Sequence, residues 1–232
     1  MKKILYMAAT VLLCSSCFHV NSNYKGSFFG GKDAIKGEGP VISKSFDLKD
    51  FDRIVVNGQA DATFTQSDTY EVTLRAQENV FSYVDYRVEG STLILELKDK
   101  LTVRSTDFDV TIKAPALKGI EINGAADFDI PAGLTSDADL KIEVNGAGDL
   151  SFKALRCNDL SVMVNGAADM DLETIDVQKL KVEVNGAGDV NIDGKAAEAD
   201  LSVNGAGDID AIGLKVAGKV TKHAAGIAKI SM

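Results

Sequence analysis

The sequence predicts an all-β protein built as a parallel solenoid with coils of about 20 residues. Three observations carry this. The phrase Asn-Gly-x-x-Asp recurs with its asparagine at Asn123, Asn145, Asn165, Asn185 and Asn204, at spacings of 22, 20, 20 and 19. Apolar and polar residues alternate through the rest of the folded part, and no window carries a sustained i, i+3, i+4 apolar stripe. The chain is 45% apolar with 21 Gly and only 3 Pro, a composition that fills a core and does not suggest disorder.

The first segment, MKKILYMAATVLLCSSC, reads as a processing signal. Lys2 and Lys3 are its charged start, and the apolar run Ile4 to Leu13 is too short to span a bilayer stably. Ser15 and Ser16 precede Cys17, the arrangement of a bacterial lipoprotein signal, so residues 1–17 are the signal and Cys17 is the expected lipidation site. Cys14 stands where an aliphatic residue is usual. A redox or zinc pair of Cys14 and Cys17 is a competing reading, set aside because the pair lies in an apolar leader with no strand–helix context. Ordinary secretion with nearby cleavage is the other alternative. With Cys17 acylated, Cys157 is the one remaining thiol of the exported chain, so stability must come from the core.

Residues 18–40 are rich in Gly, Ser, Asn and Lys without a period and are expected to be a flexible tether. Residues 41–232 are expected to form a single domain. Residues 41–118 are its less regular β part, with a hairpin turning at Glu89-Gly90-Ser91 and one helical turn in NVFSYVDY. Residues 119–232 hold the regular repeats. An earlier copy, VNGQADATF, carries Asn57, and a worn last copy, AAGIAKI, puts Ala225 in the asparagine place.

Within one repeat, Leu180, Val182 and Val184 mark a strand with one buried face, and Val190 and Ile192 a second. The corner lies between them. Asn123-Gly124, Asn145-Gly146, Asn165-Gly166, Asn185-Gly186 and Asn204-Gly205 are the expected structural corners, because both residue types tolerate positive φ. Stacked coils lie about 4.8 Å apart, so identical side chains form rows. The asparagines form a hydrogen-bonded ladder if they point inward.

The aspartates Asp127, Asp149, Asp169, Asp189 and Asp208 form a second row. Like charges about 5 Å apart repel by roughly 1 kcal/mol in water. Such a row must face solvent, accept hydrogen bonds from corner amides, or bind cations. Capping of its own turn by each aspartate is the leading reading, and these five are weak calcium candidates. The best-known calcium solenoid repeat, G-G-x-G-x-D-x-U-x, differs in both spacing and period, so no metal or other cofactor is assigned. Asp129, Ser151, Asp171, Asn191 and Asp210 add a parallel band of oxygen and amide groups.

The lipoprotein signal, FDRIVVNGQADATFTQ, STLILELK, VTIKAPALKGIEINGAAD and the repeated V-N-G-A-G-D together resemble the head GIN domain family, auto-transporter adhesin-like lipoproteins of Bacteroidota. The resemblance spans residues 41–232. It implies a right-handed parallel β-helix-like fold at the cell envelope, and it brings no catalytic residues.

Net charge is −9, and −11 once Lys2 and Lys3 leave with the signal. This excludes nucleic acid as the expected partner, since that binding needs clustered Lys and Arg. The partners expected are the membrane, through the anchor at Cys17, and a glycan or envelope protein. A polysaccharide-processing enzyme is disfavoured: carboxylate pairs recur in every coil, so none is singled out, and His223 is the one histidine of the folded part. The expectation is a non-catalytic adhesion or binding module of the outer membrane, at its surface or periplasmic face. A periplasmic structural or signalling protein is the alternative.

Overall fold

The computed structural model describes residues 34–104 and 107–232. The signal, Cys14, Cys17 and the tether up to residue 33 lie outside the described residues. The chain is a β-solenoid of about 5 turns with ~21-residue coils, 71% strand and 5% helix.

Strand β1 (Ala34–Lys36) pairs in parallel with β7 (Thr102–Arg104). Residues 34–36 lie within the segment 18–40 and form a strand there, with Ile35 packed against the core. β2 (Val41–Phe46), β4 (Glu71–Gln77), β5 (Val84–Glu89), β6 (Thr92–Leu97) and β8 (Phe108–Ala114) form the irregular N-terminal part. A 3-10 segment occupies Glu78–Tyr83, and β5 and β6 form the hairpin.

β3 (Arg53–Gln66) is the first true coil. It pairs in parallel with β9 (Gly119–Ile130), placing Asn57 on Asn123 across a 52-residue excursion from Ser67 to Lys118. On its other side β3 meets β6 and β8. β2–β4–β8 and β5–β6 then continue in antiparallel order and cover that end of the solenoid.

β10 (Leu134–Thr135), β11 (Leu140–Phe152), β12 (Leu155–Arg156), β13 (Asp159–Val164), β14 (Ala167–Gly186), β15 (Val190–Gly205), β16 (Asp208–Asp210), β17 (Leu214–Val216), β18 (Val220–Gly226) and β19 (Lys229–Ser231) complete the coils. All their pairings are parallel. Each coil turns through three faces, seen in one coil as residues 140–144, 147–152 and 155–156. The inward rows are apolar and buried. One runs Val56, Ile122, Val144, Val164, Val184, Val203 and another Ile54, Ile120, Ile142, Val162, Val182, Leu201. Such rows bury whole side chains at about 1.5–3 kcal/mol each, and they hold the described residues together without a disulfide among them.

In the last coil β18 places Lys222 on Leu201 and Ala225 on Asn204. All of β18 is exposed, and among the described strands its one pairing is with β15.

Candidate functional site

The asparagines stack in register, but outward. They share the outer side of the first face with Glu121, Glu143 and Glu183, while the valines beside them point in. The inward orientation considered from sequence is therefore corrected: strand alternation from Val144 fixes Asn145 outside. Nδ2 of Asn123 donates to Oδ1 of Asn57 (3.1 Å), Asn145 to Asn123 (3.0 Å), Asn165 to Asn145 (2.9 Å), Asn185 to Asn165 (3.1 Å) and Asn204 to Asn185 (3.1 Å). The second Nδ2 hydrogen goes to a glutamate two residues earlier in three rungs: Glu121 (2.8 Å), Glu143 (3.2 Å) and Glu183 (3.0 Å). Lys141 and then Asn145 hold Glu143 below the usual carboxylate range, and Asn185 and then Lys181 do so for Glu183.

Gly58, Gly124, Gly186 and Gly205 adopt the positive φ expected of a corner glycine, and the corner glycines meet a second need as well. None of the repeat asparagines has positive φ. The second need is close approach: a Cβ on Gly146, Gly166 or Gly186 would overlap the carbonyl oxygen of the corner glycine one coil earlier.

The aspartate row is longer than its sequence copies. Register carries it from Asp109 to Asp61 to Asp127, and on through Asp149, Asp169, Asp189 and Asp208. A cation closes each end. Nη1 of Arg75 lies 2.7 Å from Asp109, and Lys229 is in register with Asp208. The NG-x-x-D spacing in VNGQADATF was a signal for Asp61. Asp109 had none, because its strand arrives by tertiary pairing.

The aspartates do not cap their own turns. Oδ1 of Asp127 accepts from the Asp149 amide (3.0 Å), Asp169 from Asp189 (3.2 Å), Asp189 from Asp208 (3.0 Å) and Asp208 from Lys229 (2.9 Å). The backbone ladder skips at these corners, and the carboxylate takes the amide left over. Between Asp149 and Asp169 the ladder is continuous, and no such side-chain bond is made. Burial, then Asp127 and Asp109, push Asp61 upward; burial, then Asp127 and Asp149, push Asp129 upward.

Asp129, Ser151, Asp171, Asn191 and Asp210 stand two residues further on, in register on the same exposed face. Asn191 Nδ2 donates to Asp171 at 2.7 Å. Among the described residues no group of three or more His, Cys, Asp or Glu is arranged to hold a metal ion. Cys157 is buried and its thiol is pushed up to about 11 by burial, the reverse of a nucleophile's environment. No described helix is long and apolar enough to cross a membrane.

The described residues thus form a coiled β scaffold that carries repeated polar rows in register. The chain belongs to the family described as "Putative auto-transporter adhesin, head GIN domain", whose model matches residues 50–232. A crystal structure of a "putative adhesin" from Parabacteroides merdae is 29% identical, with a TM-score of 0.79 over 85% of this chain and 83% of that one. Another, from Parabacteroides distasonis, is 28% identical, with a TM-score of 0.77 over 85% of this chain and 84% of that one. A "putative lipid binding protein" from Parabacteroides distasonis shares the fold at 19% identity, with a TM-score of 0.77 over 86% of this chain and 100% of that one. No curated protein matches the chain in sequence.

Proposed function

We propose that the protein is a non-catalytic binding or adhesion module of the cell envelope, anchored by lipid at Cys17. The observation that carries this is the second face. Two straight rows, Asp127 to Asp208 and Asp129 to Asp210, repeat at the strand spacing of about 4.8 Å on one exposed side. A rigid array of equivalent groups complements a ligand that itself repeats, such as a glycan or an ordered envelope protein. The adhesin-like family and neighbours support the binding role.

Protease shaving of intact source cells, followed by immunoblotting, tests the placement. Loss of the protein supports adhesion and directs a glycan array at the rows. Digestion only after the outer membrane is opened would overturn surface adhesion and favour a periplasmic partner. An enzyme predicts that one aspartate pair fails alone; the binding array predicts graded loss of affinity along Asp149, Asp169 and Asp189.

A further inference from the structure

Every later Asn-Gly corner is closed by the coil before it. A Cβ on Gly124, Gly146, Gly166, Gly186 or Gly205 would overlap the preceding corner carbonyl. The amides beyond the corner are used as well: Ala187 donates to the Gly166 carbonyl and Ala206 to Gly186, each at 2.8 Å.

The first corner, Asn57-Gly58, has no coil before it. On that side β6 pairs with β3 only as far as Asn57, and β8 begins only at Asp61. Residues 58–60 therefore make no backbone strand pairing there, and Gln59 Oε1 instead accepts from the Val103 amide of β7 at 3.1 Å. Among the described residues nothing lies within 4 Å of where a Gly58 Cβ would stand. The chain leaving β6 swings wide and leaves a cavity of about 360 Å³ at this corner. That size falls in the range of about 300–1,000 Å³ usual for small-molecule sites.

The lining is chemically mixed. Asn57 Nδ2 donates to Glu96 Oε2 at 3.0 Å and has one acceptor where Asn123 has two. Glu96 is neutralised by Arg87 at 2.5 Å and keeps lone pairs for further donors. Lys100 supplies an ammonium and Thr102 a hydroxyl, while Leu97 and Leu101 form an apolar wall.

We propose that this unstacked first corner is a single-copy pocket for a sugar ring. Sugar hydroxyls both donate and accept, which matches Glu96 beside the spare Asn57 N–H, and the ring's C–H face suits the leucines. A carboxylate ligand is disfavoured, since Glu96 faces the same space. The proposal does not depend on the outer rows binding anything.

The test is an amide NMR titration of the purified protein with methyl glucoside, methyl galactoside and methyl mannoside, and with the corresponding disaccharides, at millimolar concentration. Saturable shifts confined to Gly58, the Asn57 side chain and Thr102 are expected for at least one sugar. Thr102→Trp, which fills the mouth from an exposed strand, should abolish them. Lys100→Ala should weaken binding about tenfold and serves if the tryptophan variant misfolds. Tighter binding of a disaccharide would mark a glycan end as the ligand; equal binding would mark a free sugar. No saturable shift with any probe, or wild-type affinity in both variants, would overturn the pocket. So would shifts spread along Asp149, Asp169 and Asp189, which would instead support the array.

Discussion

At the scale of single residues, the asparagine ladder sets what one side chain is worth. Asn145 donates to Asn123 and Glu143 and accepts from Asn165, all half-buried. Replacing it with alanine removes two donated bonds and strands a third group. Asn145→Ala should cost about 1–3 kcal/mol, read as a fall in melting temperature. Asn204→Ala, at the exposed end with one donated bond, should cost less. Equal losses at the two positions would count against the ladder as a stacked network. The row was plain in the sequence because its period is plain. Its glutamate partners were written there too, as Glu-x-Asn in IEIN, IEVN and VEVN. Which way the amides point follows from the same alternation, since a buried Val144 puts Asn145 on the outer side.

At the scale of the corner and strand, glycine is needed for clearance as well as for its backbone freedom. A valine at position 186 would drive its Cβ into the Gly166 carbonyl, which already accepts from the Ala187 amide at 2.8 Å. Gly186→Val should destabilise by about 3 kcal/mol or more. Ala187→Val next door points to solvent and should stay within about 0.5 kcal/mol. Thermal unfolding of the two variants checks this, and an unchanged melting temperature for the first would refute it. The same corners explain the aspartates. Where the backbone ladder breaks, an amide in the next coil needs an acceptor, and a carboxylate three residues past the corner glycine reaches it. Sequence reading placed these acids outside correctly, but assigned their bonds to the wrong coil, because a turn and its neighbour 20 residues away look alike until stacked.

At the scale of the whole molecule, the two ends are finished differently. The N-terminal end is covered by antiparallel strands that the repeat cannot specify. The last coil is finished by charge. After Asp210 the chain holds Lys215, Lys219, Lys222 and Lys229 and no acid. Lys222 occupies an inward row, on Leu201. Inward charge and lysine on an edge strand deter edge-to-edge pairing. Lys222→Leu should continue the core row and expose a stickier edge, so the variant should self-associate with concentration more than wild type in sedimentation experiments. Identical sedimentation would show that the lysine does not guard this end.

By itself the sequence determined the all-β solenoid, its coil length, the valine core and the existence of the asparagine and aspartate rows. These are periodic properties, and a period is visible in one dimension. The tertiary structure alone decided two other features. It brought Asp109 and Arg75 to the head of the acid row, and it left Gly58 uncovered on one side, above a cavity. Each depends on which strand lies next to which, and for the non-repeating residues 67–118 that is set by pairing across the fold, with no spacing in the chain to announce it.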